Sequence, residues 1–343
     1  MASEIKPNYD QDREILANVV PLRTPYSIQI TPSSRCNFKC NYCIHSSPEM
    51  NNKSLMKWNT FEKLCEQIGQ FEDKVKQINF AGWGEPTLNR DLPKMIAHIK
   101  QLNLAGKVSV ITNGSLLNQN FVLSLIDSGV DSIRVSLQGV TSMRYKEVCG
   151  VQQGFNDLVG KIRYLNQNKG HCAVYVKVAD ISLSKEEESL FYSTFLDISD
   201  RMFVENIRPI FDDENVEPDT DYSISKYGQV HPPVLVCPQP FFMLNITAEG
   251  DVIPCCSYYD PTQFGNINNT TLKDIWHSNK MFEFLKMMLR KERNTQQKYP
   301  VCNKCKLPDV VVLPQDSLDE NADQIFNRFD HVAGREDLCH VEC

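Results

Sequence analysis

The strongest chemical signal in this sequence is a group of three closely spaced cysteines. Cys36, Cys40 and Cys43 are separated by three and then two residues, and they follow a predicted strand at 26–31. Such a loop can present three thiolates to one metal centre, and thiolates are the ligands that iron–sulfur clusters take. Three protein ligands on a four-iron cube leave one iron open for a reactive ligand. The alternatives are three free thiols or a structural zinc site, for which His45 is the available fourth ligand.

A second set of cysteines lies in the C-terminal third of the chain. Cys237 and Cys255 flank a predicted hairpin, and Cys302 and Cys305 form a CxxC pair. Four thiolates predict a second cluster, and a zinc site on the same residues is the alternative. Cys256 is left over beside Cys255, so it is either the ligand in place of Cys255, a small buried apolar side chain, or a free thiol.

Two further cysteines, Cys339 and Cys343, lie at the end of the chain. They are open to three interpretations: late ligands of a second auxiliary cluster, a separate metal site with His340, or a frayed tail. The charged N-terminus has no apolar signal-peptide segment, and no apolar run is long enough to span a bilayer. We therefore expect a cytoplasmic protein, in which thirteen cysteines serve metal ligation rather than disulfides.

Short strand patterns alternate with helical patterns through the first 210 residues. The predicted strands are 26–31, 77–80, 107–112, 132–137, 173–179 and 202–207. Crossover-length helices between strands imply a parallel sheet. Six such steps fall short of a closed eight-stranded barrel, so the fold class is α/β with a partial, open (β/α)6 TIM-like barrel. Its ligands should gather at the carboxyl ends of the strands.

The pattern divides the chain into five parts. They are an N-terminal extension (1–25), the barrel (26–210), a linker (211–234), a small cysteine-rich domain (235–310) that contains a predicted helix at 271–290, and a C-terminal tail (311–343). The linker is acidic and non-periodic. This linker either is a solvated loop or attracts a cationic substrate through its acidic side chains, Asp212, Asp213, Glu214 and Glu217. The net charge of −7 and the absence of a Lys/Arg block argue against nucleic acid as the substrate.

The first cysteine loop, CNFKCNYC, resembles the CxxxCxxC hallmark of the radical S-adenosylmethionine (SAM) superfamily, with Tyr42 in the aromatic position. Three later motifs, each after a successive predicted strand, are also similar to those of the family: AGWGEP, TNG and SLQG. The resemblance implies that SAM is bound by Gly84, Glu85, Pro86, Thr112, Asn113, Ser136 and Gln138. Gln138 replaces the acid usual in the family. Lys177, on the fifth strand, is either a contact to the SAM carboxylate or a snorkelling lysine.

The block from Cys237 to Cys256 resembles the start of the SPASM and twitch domains, which carry auxiliary [4Fe-4S] clusters. This resemblance implies one auxiliary cluster, or two if Cys339 and Cys343 take part. In radical epimerases of the family, a cysteine thiol returns a hydrogen atom to the substrate. Cys256 and Cys149 are the candidates here.

The resemblance implies an enzyme that cleaves SAM reductively and uses the 5'-deoxyadenosyl radical to abstract hydrogen. We expect a small polar substrate, such as a sugar, an aminocyclitol or a nucleotide sugar, that is dehydrogenated or epimerised. A one-electron donor such as flavodoxin or ferredoxin is the expected partner. The alternatives are a maturase that modifies a peptide or protein, and a non-catalytic iron–sulfur redox protein.

Overall fold

A computed structural model describes residues 3–7, 9, 13–43, 54–210, 220–256 and 263–333. Its centre is a run of six parallel strands joined by helices, as the sequence predicts. These strands are β2 (Ser27–Ile30), β3 (Val75–Phe80), β4 (Ala105–Thr112), β5 (Ser132–Leu137), β6 (Ala173–Ala179) and β7 (Arg201–Glu205). The sheet does not close on itself, and the barrel is partial.

Helices cover the outside of this sheet. They are α1 (Leu16–Val19), α2 (Trp58–Ile68), α3 (Leu92–Gln101), α4 (Gln119–Asp127), α5 (Ser142–Cys149), α6 (Phe155–Asn168) and α7 (Lys185–Phe195). The sequence pattern does not predict α5, because its apolar positions are few. Local signals still define its ends: the Thr141 side chain accepts from the Arg144 N–H, and Gly150 ends the helix in the left-handed conformation (φ 65°).

The two faces of the barrel strands differ in polarity. In β5, Ile133 and Val135 are fully buried in the hydrophobic core, whereas Arg134 and Ser136 line a central cavity. Successive side chains of a strand point to opposite faces, so an alternating sequence gives one apolar face and one polar face. The inside of this barrel is therefore polar, unlike the apolar side-chain layers that fill a closed TIM barrel.

Both edges of the six-stranded core are extended. β1 (Glu4–Ile5) pairs in parallel with β7, and β8 (Met243–Ile246) pairs in parallel with β2. β8 continues into the predicted hairpin with β9 (Asp251–Ile253), to which β10 (Gly265–Asn266) adds. The cysteine-rich region is thus continuous with the barrel in one ten-stranded sheet.

Five helices complete the C-terminal part of the described chain: α8 (Leu272–Trp276), α9 (Asn279–Leu289), α10 (Pro300–Lys304), α11 (Leu307–Val311) and α12 (Ala322–Ala333). The single helix predicted at 271–290 is two helices, because the Ser278 side chain caps a new helix by accepting from the Met281 N–H. Within the segment predicted as a tail, α12 packs on α9 and buries Ile325 and Phe329.

Several residues singled out from the sequence lie outside the described ranges. They are His45, Asp212, Asp213, Glu214, Glu217, Cys339, His340 and Cys343. Among the described helices, none combines the length and the apolar character needed to cross a bilayer.

Candidate functional site

The three N-terminal cysteines lie on the wall of a cavity of about 520 Å³ inside the open barrel. The same cavity is lined by most of the residues that the family resemblance implies for SAM. They are Tyr42, Gly84, Glu85, Thr112, Asn113, Ser136, Gln138 and Lys177. Pro86 does not line the cavity and instead begins a short 3-10 helix behind the wall. Motifs after successive strands meet because the carboxyl ends of parallel strands share one rim.

Glu85 ties two of the motifs together. Its carboxylate accepts hydrogen bonds from the Thr87 N–H (3.0 Å) and hydroxyl (2.6 Å), the Thr112 hydroxyl (2.6 Å) and the Asn113 N–H (2.7 Å). The side chain is almost fully buried, and desolvation raises its pKa while these four donors lower it. Glu85 therefore fixes the GEP turn after β3 against the TNG turn after β4.

Gly84 brings this turn against the cysteine loop. A Cβ at Gly84 would lie 2.2 Å from the Ser33 carbonyl oxygen and 2.5 Å from that of Arg35. The Glu85 N–H donates to the Arg35 carbonyl at 2.8 Å, directly before Cys36. Only glycine allows this approach of two backbones, so packing alone requires glycine at this position of the motif.

Side chains of the cysteine loop hold it to the neighbouring motifs. Asn37 accepts from the Asn113 amide at 2.9 Å and donates to the Ser115 hydroxyl at 2.9 Å. The Tyr42 hydroxyl donates to the Gln138 side-chain oxygen. Gln138, which replaces the family's acid, thus positions Tyr42. Asn37 could not be predicted as a site residue, because nothing in the neighbouring sequence shows that it contacts Asn113.

Cys149 lies behind the cysteine loop rather than on the cavity wall. The backbone carbonyls of Val148 and Cys149 accept from the N–H groups of Asn41 (2.8 Å) and Lys39 (3.2 Å). The Cys149 side chain is fully buried, and its thiol and that of Cys40 are close enough to interact electrostatically. Cys149 is not among the residues that line the cavity, and its role as a hydrogen donor stays a prediction.

The neighbouring residues Cys255 and Cys256 contribute to two different cavities. The Cys256 thiol lines the barrel cavity and donates to the Gln239 side-chain oxygen at 3.7 Å. Desolvation raises its pKa to about 11, so the sulfur carries its hydrogen at neutral pH. Cys255 lines a second, smaller cavity together with Cys237, Cys302 and Cys305. The bend in the chain after β9 therefore directs the two adjacent thiols into different cavities.

The second cavity has the ligands for an auxiliary cluster. Apart from the four cysteines and Arg293, its described lining consists of proline and apolar side chains. Within the described ranges, no three His, Cys, Asp or Glu side chains lie close enough together to hold one metal ion. A single zinc ion holds each thiolate at about 2.3 Å from the metal, whereas a four-iron cube spreads them over its corners. Four cysteines on one otherwise apolar cavity are a donor set that a four-iron cluster can use.

Four charged side chains of the barrel cavity did not stand out as a group in the sequence. Arg134 of β5, Lys177 of β6, Glu205 of β7 and Lys226 all line it. Lys177 forms an ion pair with Glu205 at 2.5 Å. Desolvation raises the pKa of Glu205, but the charges of the three cations outweigh it and lower the pKa to about 2. The alternation of polar and apolar residues along β5 and β6 was the available signal, since it places Arg134 and Lys177 on the inner face.

Family models match both parts of the chain. The model described as the radical SAM superfamily matches residues 30–188, and that described as an iron–sulfur cluster-binding domain (SPASM) matches residues 237–306. The first match covers the motifs around the barrel cavity, and the second covers the four cysteines of the smaller cavity.

Two curated relatives differ in how much of the chain they match. A probable GTP 3',8-cyclase from Sulfolobus acidocaldarius is 37% identical over 124 residues, which are 36% of this chain and 38% of that protein. The chain thus spans well under half the length of this relative. A tungsten-containing aldehyde ferredoxin oxidoreductase cofactor-modifying protein from Pyrococcus furiosus is 24% identical over 321 residues, covering 81% of this chain and 86% of that protein.

Two solved structures share the fold at low identity. SuiB from Streptococcus suis bound to S-adenosylmethionine aligns with a TM-score of 0.63 at 17% identity, over 88% of this chain and 79% of that one. BtrN in complex with AdoMet and 2-DOIA aligns with a TM-score of 0.54 at 19% identity, over 82% and 92%. The open barrel, the order of its motifs and the two cysteine-lined cavities agree with the two family-model matches, and the chain contains a radical SAM superfamily domain at residues 30–188 and a SPASM iron–sulfur cluster-binding domain at residues 237–306.

Proposed function

We propose that this enzyme epimerises a small polar molecule, with Cys256 as the residue that returns a hydrogen atom to the substrate. The observation that carries the proposal is the position of the Cys256 thiol on the same cavity as Cys36, Cys40, Cys43 and Glu85. When bound, the cluster and SAM together supply the 5'-deoxyadenosyl radical. The polar side chains on the inner face of the barrel suit the binding of a polar substrate.

The atoms and electrons of this reaction balance as follows. The radical takes one hydrogen atom from a substrate carbon and becomes 5'-deoxyadenosine. Cys256 then gives its S–H hydrogen to the opposite face of that carbon and becomes a thiyl radical. One electron and one proton restore the thiol, so each turnover takes two electrons from a low-potential donor: one for SAM cleavage and one for Cys256. Cys255, which with Cys237, Cys302 and Cys305 would hold the auxiliary cluster, is the residue directly before Cys256 in the chain.

Two other reactions remain as alternatives. In dehydrogenation, the substrate radical loses a further electron and a proton, and Cys256 gives up no hydrogen. In peptide maturation, the substrate is a polypeptide, as in the S. suis structure of SuiB bound to the precursor peptide SuiA. That likeness is at 19% identity and shows a shared fold.

The test is turnover of the anaerobically reconstituted enzyme in D2O. We would add SAM, a reductant and one of UDP-glucose, glucose 6-phosphate, 2-deoxystreptamine or a synthetic peptide. We expect one small molecule to raise 5'-deoxyadenosine formation and to return with one deuterium at an inverted carbon. A product that has lost two hydrogens and gained no deuterium would identify a dehydrogenase, and stimulation by the peptide alone would identify a maturase.

Substitution of the thiol separates the donor from the rest of the site. Cys256→Ala should abolish inversion and deuterium uptake while 5'-deoxyadenosine still forms. Cys172→Ala is the matched control, because Cys172 is equally a free cysteine, is buried and does not line the cavity. Inversion that persists in Cys256→Ala would remove this residue from the mechanism.

A further inference from the structure

One part of the barrel cavity carries a concentration of positive charge. Arg134, Lys177 and Lys226 line it around a single carboxylate, Glu205, and we call these four residues the cationic wall. Lys177 is paired with Glu205, and Arg134 and Lys226 interact electrostatically with the same carboxylate. Cys256 lines the same cavity as these four residues. The wall thus lies beside the proposed hydrogen donor.

The described residues of this wall include more basic than acidic side chains. Three cations share one carboxylate, which leaves two net positive charges in a chain whose overall charge is −7. The other two carboxylates that line the cavity are engaged: Glu85 by four donors, and Asp316 by an ion pair with Arg13. Several basic side chains on one wall of a cavity attract an anionic ligand.

We propose that the cationic wall binds an acidic group of the substrate, a phosphate or a carboxylate, and holds the reacting carbon near Cys256. The inference rests on the proposed function and narrows its substrate class from polar molecules to anionic ones, such as sugar phosphates and nucleotide sugars. A cationic aminocyclitol would meet like charge here. Arg134 provides the planar fork that suits phosphate or carboxylate oxygens.

The test measures binding without turnover, using inorganic pyrophosphate and 2-deoxystreptamine as probes of opposite charge. Titration calorimetry on the reconstituted, SAM-loaded enzyme should show binding of pyrophosphate and none of 2-deoxystreptamine. Arg134→Gln and Lys226→Gln should each weaken pyrophosphate binding about tenfold or more, as expected when a charged hydrogen-bond partner is lost. Lys185→Gln, an exposed site on α7, is the control and should bind as the parent does.

The SAM carboxylate is the other anion that could occupy the wall, and the same variants distinguish it. If they weaken SAM binding and pyrophosphate does not bind, the wall holds the cofactor and the proposal is overturned. Preferred binding of 2-deoxystreptamine overturns it as well. Deuterium uptake through Cys256 is measured separately. Epimerisation of an uncharged substrate would therefore contradict the anion-binding role of the cationic wall, but not the role of Cys256 as hydrogen donor.

A second, independent observation concerns the cavity of the auxiliary cluster. Arg293 lies on its wall, is 4% exposed, and is the charged side chain among the described residues that line it beside the four cysteines. Its Nη1 donates to the Cys305 carbonyl and its Nη2 to the Val234 carbonyl at 3.1 Å. Its Nε is buried and has no hydrogen-bond partner within the described residues.

A buried N–H without a partner is rare, because it costs the full desolvation of the donor. The sulfurs of a cluster on Cys237, Cys255, Cys302 and Cys305 are acceptors within the same cavity. Hydrogen bonds to these sulfurs and the net charge around a cluster set its reduction potential. We infer that Arg293 donates its Nε–H to a sulfur of the auxiliary cluster and raises its potential by stabilising the added electron.

The test is a potentiometric titration followed by electron paramagnetic resonance. A Cys36→Ala, Cys40→Ala, Cys43→Ala background removes the SAM-binding cluster, so the remaining signal belongs to the auxiliary cluster. Arg293→Met should lower the ratio of reduced to oxidised cluster at fixed potential about tenfold, a shift of about 59 mV for one electron. Arg293→Lys should shift it less, since the charge remains and the Nε–H does not.

The control and the iron content complete the test. Arg290→Met removes an exposed arginine of the same region and should leave the midpoint unchanged. An unchanged midpoint in Arg293→Met with four irons retained overturns the inference. If Arg293→Met loses its iron and Arg293→Lys keeps both its iron and the parent midpoint, Arg293 supports folding of the cavity and does not set the potential.

Discussion

Single residues of the barrel cavity combine a structural role with a chemical one. Glu85 is the clearest case, because its carboxylate receives four donors from Thr87, Thr112 and Asn113. Each donor is buried, so the carboxylate is the group that satisfies them. Cys255 and Cys256 also differ in role although they are adjacent, because each lines a different cavity.

A conservative change at Glu85 tests whether this carboxylate assembles the site. Glu85→Gln turns one acceptor oxygen into a donor that faces other donors, and we expect a loss of about 1.5–3 kcal/mol in unfolding free energy. SAM binding should weaken as well, because the GEP and TNG turns separate. Denaturant unfolding and equilibrium SAM binding measure the two effects. Glu66→Gln, at an exposed position of α2, should change neither, and a parent-like Glu85→Gln would refute the assignment.

At the scale of elements, helix ends and strand ends position the chemistry. The last turn of α5 accepts two N–H groups of the cysteine loop, from Lys39 and Asn41. The helix has to stop there for its carbonyls to be available, and Gly150 in the left-handed conformation stops it. A helix that the sequence pattern did not predict therefore supports the most recognisable motif in the chain.

Two glycine-to-alanine changes should have opposite effects on stability. At Gly150, φ is +65° and no atom lies within 4 Å of an added Cβ, so Gly150→Ala should destabilise by about 1 kcal/mol through backbone strain. At Gly160, inside α6 and also in open space, Gly160→Ala should stabilise by about 0.5–1 kcal/mol. Thermal unfolding of both variants checks the pair, and shifts of the same sign would contradict the conformational argument.

For the molecule as a whole, the cysteine-rich part is joined to the barrel through the sheet and through buried hydrogen bonds. β8 pairs with β2, and Gln67 of α2 bridges the two parts. Its amide donates to the Ile267 carbonyl at 2.9 Å and accepts from the Leu272 N–H at 2.9 Å. Trp276 donates to the Leu22 carbonyl at 3.0 Å. These contacts join the barrel to the part of the chain that contains the second cysteine-lined cavity.

Removal of the Gln67 hydrogen bonds should lower the free energy of unfolding of the whole protein. Gln67→Met keeps the side-chain length but leaves the Ile267 carbonyl and the Leu272 N–H without their partner, at a cost of about 1–3 kcal/mol. We expect a lower unfolding midpoint in denaturant. Gln70→Met, an exposed site two residues beyond α2, should match the parent. If both variants unfold at the parent midpoint, the bridge does not hold the two parts together.

The sequence by itself determined the kind of chemistry and the order of the barrel. The spacing of Cys36, Cys40 and Cys43 and the motifs after successive strands are local features, and parallel strands bring their carboxyl ends to one rim whatever the details of packing. The six barrel strands could be predicted within two residues of their ends, because the residue patterns that indicate a strand are also local.

Only the tertiary structure decided which side chains share a cavity. It directs Cys255 and Cys256 to different cavities, places Cys149 behind the cysteine loop, and brings Lys226 beside Glu205 and Arg293 beside the second cysteine set. Such contacts join residues distant in sequence, and they depend on how strands twist and loops close rather than on neighbouring residue types. No local pattern encodes them, because the free energy that selects them comes from burial across the whole fold.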